Sequence, residues 1–380
     1  MKFSARFHTY SVFILAFLFL LSIPAMYGQA AEKQPMAEEV FKNVTALKGL
    51  TASEFMETMS FYSASLGANC NYCHITASAG DWKLYADDSV KTKRTTRAMI
   101  GMVNAMNKQF FAGRKMLTCY SCHRGSDKPK VIPNLDDLYS EPPLEPNDDF
   151  LVSDAKTPTA EQVLDKFIAA VGGAQKLATV TSYMGKGTYK GYDTPKVPFE
   201  IWAKAPNQRA LLVQTPNGLA STIYDGRSGW TATPGTDRPI ALQTGAEREA
   251  AALKLDAELM FPANIKKSFA TWKVGLPYFI NDRDIVVLEG SSPGKSSARF
   301  YFDKETGLLV RYVRYYNSVA GLSPTRFEFA DYRDVDGIKL PFKFNIIWLG
   351  GRGFLELSDY KVNVPVDAAK FNKPADPAKK

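Results

Sequence analysis

Two five-residue segments constrain this chain more than anything else in it: Cys70-Asn71-Tyr72-Cys73-His74 and Cys119-Tyr120-Ser121-Cys122-His123. In each, two thiols three positions apart on one short turn can add to the two vinyl groups of a porphyrin. The imidazole that follows is then placed to ligate the iron. The chain has four Cys and three His in 380 residues, and the one His outside these segments is His8, in an N-terminal stretch patterned like a targeting peptide. Every thiol and imidazole of the processed chain is thereby assigned: Cys70, Cys73 and His74 to one covalently bound haem c, Cys119, Cys122 and His123 to a second. Zinc held by CxxC pairs, a dithiol redox pair and two structural disulfides use the same thiols. The two pairs begin 49 residues apart, outside zinc-ribbon spacing, and none of these alternatives explains a His after both pairs.

Residues 1–30 read as a secretory signal: Lys2, Arg6 and His8, ten uninterrupted apolar residues from Val12 to Leu21, then small residues ending at Ala30, the expected cleavage point. A run of ten is short for a bilayer span, which favours a cleaved signal over a membrane anchor. The expectation is a periplasmic or otherwise exported protein, and export suits haem attachment to thiols outside the cytoplasm. The formal charge of +8 is unevenly divided: residues 31–150 carry 14 basic against 15 acidic residues, and residues 151–380 carry 31 against 24. Basic residues scattered along strand-like segments, without a compact basic helix, give no nucleic-acid motif. A hydrophobic content of 45% suffices for packed cores and excludes a disordered chain.

Glu38 to Leu50 has Val40, Val44 and Leu47 at helical spacing and predicts a short packing helix. A capping box, Thr51 with Glu54, predicts a second helix that stops at Gly67 and delivers the chain to Cys70. After a loop with Trp82 and Tyr85, a third helix is predicted over about 89–111, with Met99, Met102 and Met106 on one face. It leads to the second CxxCH. Six of the nine Met after residue 30 fall between Met56 and Met116. With no spare His, a Met thioether is the strong protein candidate for the sixth position of each iron, although a Met stripe also serves as core filler.

Six Pro between residues 129 and 158 and an acidic run predict an extended connection. Thr159 with Gln162 caps a further helix that ends at Gly172 and Gly173. Beyond Val180 the period changes from 3.6 to 2: Phe342, Phe344, Ile346 and Trp348 share one face, with Lys343 and Asn345 on the other. Asn217-Gly218 and Asp336-Gly337 are hairpin turns, and Asp303 to Gly307 is a longer one. Seven to ten antiparallel strands are predicted, with one helical insertion over about 246–259. Asp225, Gly226, Gly229 and Trp230 read as a turn followed by a core Trp.

Residues of about 36–135 resemble the cytochrome c subunit of photosynthetic reaction centres. The resemblance rests on NVTALKGL and EFMETM before the first motif, RAMIGMVNAMN before the second, and LTCYSCHRG at the second. It implies that the Met on the helix before each motif is the axial ligand: Met59 for the first haem and Met99 for the second, with Met56, Met102 and Met106 in reserve. Family members typically carry four haems and many are lipid-anchored; this chain has only a two-haem half. More weakly, residues 158–370 look like the curved antiparallel half-barrel of periplasmic lipoprotein carriers, which implies a concave apolar face, open to a ligand or filled by its own core.

The reading is an α+β chain of two domains. It comprises a signal (1–30), a mainly helical dihaem module (31–130), a Pro-rich linker (131–157), a half-barrel-like β domain with covering helices (158–370) and a tail (371–380). The expected function is electron transfer, not enzymatic catalysis, to or from a partner redox protein, free or membrane-associated, with the β domain as docking module. Alternatives are a peroxidase-like enzyme or sensor with one open iron position, and an apolar-ligand carrier acting through the β domain.

Overall fold

The structure, a computed structural model, describes residues 34–75, 82–132, 150, 152–156, 158–191, 195–234, 239–242, 244, 245 and 248–375. The expected signal and most of the expected linker lie outside these residues. The chain is α+β: helices first, then one large antiparallel sheet.

Among the described residues the helical part has four α-helices: α1 (Ala37–Val40), α2 (Ala52–Leu66), α3 (Lys91–Phe110) and α4 (Cys119–His123). The helix expected from Glu38 to Leu50 is confined to α1. Asn43 adopts a left-handed conformation (φ 59°) and its side-chain amide donates to the Ala86 carbonyl at 2.6 Å, so a tertiary contact overrides the helical spacing. In α2 the capping box forms as the sequence predicts: the Glu54 amide donates to the Thr51 hydroxyl at 3.3 Å and the Thr51 amide to the Glu54 carboxylate at 2.9 Å. Gly67 ends the helix in the left-handed region (φ 59°), where a Cβ would lie 2.2 Å from the Gly125 carbonyl oxygen. Only glycine satisfies both the turn and that approach.

The second part begins with α5 (Ala160–Ala170), capped by Thr159 and Gln162, and α6 (Ala174–Leu177). The strands follow: β1 (Ser182–Gly191), β2 (Val197–Lys204), β3 (Gln208–Thr215), β4 (Gly218–Tyr224), β5 (Gly229–Ala232) and β6 (Ile240–Ala241). After α7 (Glu249–Glu258) come β7 (Thr271–Val274), β8 (Tyr278–Ile280), β9 (Arg283–Ser291), β10 (Ala298–Asp303) and β11 (Leu309–Asn317). The last three are β12 (Leu322–Val335), β13 (Ile338–Trp348) and β14 (Gly351–Val362).

The sheet order is β6-β5-β4-β3-β2-β1-β14-β13-β12-β11-β10-β9-β7, with β8 beside β9. The described strands number fourteen, more than the seven to ten expected, because pieces as short as β6 and β8 show no period of their own. The Asp336-Gly337 turn is in place, both residues having positive φ (53° and 77°) as the tightest hairpin requires, whereas the turn expected at Asn217-Gly218 is Pro216-Asn217, Gly218 being paired with Thr215 as the first residue of β4.

The sheet curls. Helix α7 touches β3, β4 and β5 and also β11. In a flat sheet seven strand spacings of about 4.8 Å would hold β4 and β11 about 34 Å apart, far more than one helix can bridge. The concave side closes over α5 and residues 262–267, with Leu164, Phe167, Ile265, Phe300, Phe302 and Ile338 at its centre. Trp230, beyond the Asp225 turn, is a core residue of the opposite face, as the sequence suggests, and packs with Phe371. Phe371, expected at the start of the tail, is 2% exposed.

Helix α2 joins the helical part to the sheet. The Ser53 hydroxyl donates to the Glu249 carboxylate at the start of α7, and the Arg248 guanidinium lies 4.0 Å from Glu54. The Phe61 ring stands where a Cβ on Gly321 would fall (2.9 Å), and the Ser60 side chain does the same at Gly350. Glu57 is 8% exposed and hydrogen-bonded to Glu249. Burial, and then the neighbouring Glu249 and Glu54 carboxylates, push its carboxyl well above the usual carboxylate range.

Candidate functional site

The first CxxCH is wound into a tight turn. Residues Cys70–Tyr72 form a single 3-10 turn, and the amides of Cys73 and His74 both donate to the Cys70 carbonyl, at 3.2 and 3.0 Å. The second CxxCH is α4 itself. Both conformations put the two thiols of a motif on one side of one turn, as attachment to a single macrocycle requires. All four thiols are free.

Both imidazoles are held the same way. His74 Nδ1 is 3.0 Å from the Tyr85 carbonyl, and His123 Nδ1 is 2.9 Å from the Ser126 carbonyl. A carbonyl oxygen only accepts, so in each ring Nδ1 carries the proton and donates. That leaves the Nε2 lone pair for a metal, the second partner fixing tautomer and ring orientation. The Tyr85 carbonyl also accepts from Lys93 at 2.8 Å, and the Tyr85 ring packs against His74 with centroids 4.6 Å apart. Burial, followed by the nearby Lys93 charge, lowers the His74 pKa and favours the neutral, ligating form.

The helices cross between the motifs. On α3, the Thr96 hydroxyl lies 3.6 Å from Cys73 Sγ and the Thr92 hydroxyl donates to the Tyr72 carbonyl, so the helix that leads to the second motif packs on the first. The C-terminal end of α2, which leads to the first motif, packs on the second: the Gly125 amide donates to the Ser65 carbonyl at 2.9 Å, and Tyr62 lies beside Cys119. At the far end of α3 the buried Asn107 side chain accepts from the amides of Met116 and Leu117 (3.1 and 2.9 Å) and donates to the Leu117 carbonyl (2.7 Å). It fixes the approach to α4. Asp88, bonded to Arg97 (2.6 Å) and Lys93 (3.0 Å), anchors the start of α3, and Arg97 holds its carboxyl well below the usual range.

The methionines lie on these two helices. Met59 stands one turn before Tyr62 on α2, and Met99 one turn after Thr96 on α3; both are half-buried. Met106 is half-buried, whereas Met56 and Met102 are 45% and 44% exposed. Of the twenty residues of α3 only Ile100 and Asn107 are fully buried, and among the described residues its apolar face, with Met99, Val103 and Met106 half-buried, is only partly covered by protein side chains. An apolar macrocycle beside Cys73 and Thr96 fits that face. Among the described residues no three His, Cys, Asp or Glu side chains gather as a zinc site needs.

Sequence reasoning missed the carbonyls of Tyr85 and Ser126, which are backbone atoms and leave no side-chain signal, and it missed the role of Asn107. A polar residue on the inner face of a Met-rich helix was the available sign of the latter.

Residues 19–145 match the family model described as the photosynthetic reaction centre cytochrome C subunit. The chain is 39% identical over 113 residues to the photosynthetic reaction center cytochrome c subunit of Thermochromatium tepidum, covering 29% of this chain and 26% of that one. To the corresponding subunit of Rubrivivax gelatinosus it is 35% identical over 113 residues, 29% of each chain. The chain thus spans little more than a quarter of the length of these relatives. Among solved structures it is similar to a LolA superfamily protein from Nitrosomonas europaea (18% identity, 57% of this chain, 99% of that one, TM-score 0.37). It is also similar to a DUF1329 family protein from Desulfovibrio piger (13% identity, 57% and 98%, TM-score 0.40). Among the described residues no helix is long and apolar enough to cross a membrane. The two CxxCH motifs and the helices that carry Met59 and Met99 all fall within residues 19–145, where this chain is similar to the cytochrome c subunit of photosynthetic reaction centres.

Proposed function

We propose that the chain is an exported dihaem c-type cytochrome that carries single electrons to or from a partner redox protein and performs no bond chemistry of its own. Cys70 and Cys73 hold one haem c and Cys119 and Cys122 the other, each thiol as a thioether. His74 and His123 supply the proximal ligands, Met59 the sixth ligand at the first haem and Met99 that at the second. A bound haem c supplies a one-electron iron couple, whose potential a thioether ligand raises.

The protein's part is to keep geometry constant. The Tyr85 and Ser126 carbonyls hold the two rings in the ligating tautomer. The Thr92-to-Tyr72 bond ties the first motif to α3, and Asn107 and the Gly125-to-Ser65 bond tie the second to α3 and α2, so neither ligand set moves when charge changes. The observation that carries the reading is the repeated imidazole geometry, Nδ1 bound to a carbonyl with Nε2 left for a metal at both motifs. The sheet serves as the docking module, bonded to α2 and carrying the excess of basic residues.

The test is ligand replacement. Met59→Gly and Met99→Gly, made separately in the full chain, each convert one haem of the two to high spin and lower its potential, read by absorption and potentiometric titration. Two low-spin haems with unchanged potentials in both variants would remove the methionine assignment.

A further inference from the structure

The second CxxCH sits in a basic surface that the first does not share. Residues 108–130 carry six cations, Lys108, Arg114, Lys115, Arg124, Lys128 and Lys130, against the single carboxylate of Asp127. All six are exposed, and among the described residues none of them is in an ion pair. Asp127 is turned to the first motif, where it accepts from the Tyr72 hydroxyl at 3.4 Å. At the first motif the cations are engaged internally: Lys93 and Arg97 pair with Asp88, and Arg94 donates to the carbonyls of Asp88 and Ser89. Like charges held together on a surface repel one another, so six unpaired cations around the second motif do not serve the fold. Large apolar side chains lie among them: Phe110, Met116 and Tyr120 are 67%, 58% and 54% exposed. Asn107 binds the backbone of Met116 and Leu117, which folds that loop back on the end of α3, and the Lys130 amide donates to the Cys122 carbonyl, which holds residues 128–130 against α4. Lys115 reaches toward the sheet: burial, then the charge of Arg248 at the start of α7, lowers its pKa, so the basic surface continues onto the sheet side.

We propose that this face, around the second CxxCH, is where electrons pass to or from an acidic redox protein, with Phe110, Met116 and Tyr120 as its apolar centre and the six cations as its rim. The inference rests on the electron-transfer reading above and adds to it the chemistry of the partner and the motif that the partner meets. A rim of one sign steers an oppositely charged partner and sets its orientation, while aromatic and Met side chains at the centre make the contact. A small contact of this kind suits an encounter that must form and part at each turnover. An anionic membrane would be drawn by the same charges. Its binding, however, needs an amphipathic helix with its apolar face laid in the interface, and here the apolar side chains sit on the end of α3, on a loop and on α4, which is five residues long.

The experiment mixes the oxidised, full-length, haem-loaded protein in stopped flow with reduced rubredoxin, an acidic protein, and separately with hexaammineruthenium(II), a small cation. Ionic strength is raised from about 0.01 to about 0.1 M, which shortens the screening length from about 30 to about 10 Å. The rubredoxin rate falls at least about tenfold over this range, and the ruthenium rate does not fall. Lys108→Glu, Lys128→Glu and Lys130→Glu, made together, lower the rubredoxin rate at low salt by at least about tenfold. The same reversal at Lys176, Lys204 and Lys339 lowers it less than about threefold, because these lie at the end of the sheet away from α2. A rubredoxin rate indifferent to salt, a salt response shared with the cation, or an equal loss in the two triple variants overturns the proposal. So does capture of the unaltered protein by phosphatidylglycerol vesicles that the first triple variant abolishes while its rubredoxin rate is unchanged, which would assign the face to a membrane. Two low-spin haems alongside any of these results leave the electron-carrier reading standing and remove only the docking face, whereas a chain without haem removes the reading itself. Should the first triple variant fail to fold, the salt responses of the two reagents in the unaltered chain decide.

Discussion

Replacing Glu57 with Gln should stabilise the protein at neutral pH and make its stability less dependent on pH. Glu57 lies between α2 and α7, 8% exposed and hydrogen-bonded to Glu249, and its carboxyl is neutral in the fold because burial raises its pKa. In the unfolded chain it ionises with an ordinary pKa of about 4.3. A folded pKa above the unfolded one means that the contribution is fully present below about pH 4.3 and is lost progressively as pH rises through neutrality. Each unfolding event then releases one proton, so stability falls by about 1.4 kcal/mol per pH unit from this group alone, or about 2.7 kcal/mol between pH 5.5 and 7.5. Gln cannot ionise, yet its amide still donates to Glu249. Urea unfolding of both proteins, followed by far-ultraviolet circular dichroism at several pH values, gives the difference directly. A stability difference that does not change with pH would refute the reasoning, because it would mean that Glu57 is ionised in the fold.

Three further outcomes follow from the same contacts. Asp256→Ala leaves the Arg314 guanidinium buried without its carboxylate and should cost about 3–5 kcal/mol in denaturant unfolding, the range for breaking one side of a buried pair. Asn107→Ala removes three bonds around residues 116 and 117 and should cost about 1–3 kcal/mol. The same change should shift the potential of the haem at Cys119–His123 more than that of the other. The pairing of methionine with motif is tested in a chain with Cys119 and Cys122 both changed to Ala: Met59→Gly should turn its single haem high-spin and Met99→Gly should not. The reverse result would mean that the crossed packing of α2 and α3 also crosses the ligands.

Much of this architecture is written locally in the chain. The CxxCH segments, the Thr51–Glu54 and Thr159–Gln162 caps and the Asp336-Gly337 turn each act over a few residues, and each is legible without knowledge of the fold. The helix expected after Glu38 failed for the opposite reason: Asn43 takes a left-handed conformation to reach Ala86, forty-three residues away. The strand count fell short because β5, β6, β7 and β8 are only two to four residues long, too short to show a period. The buried pair of Asp256 and Arg314 could not be read at all, because its members are 58 residues apart in the chain and meet only where the sheet curls around α7. At the motifs, the groups that orient His74 and His123 are main-chain carbonyls, which every residue possesses and no sequence pattern marks.

The central claim, two haems each closed by a His and a Met, is tested most directly by the absorption spectrum of the purified reduced protein with and without carbon monoxide, alongside a haem-per-chain determination. Two covalently attached haems per chain, both low-spin and both unchanged by the gas, are the predicted result. A haem that binds carbon monoxide would contradict methionine closure at that iron and move an open-site enzyme or sensor ahead of the electron carrier, and a chain without attached haem would contradict the account at its root.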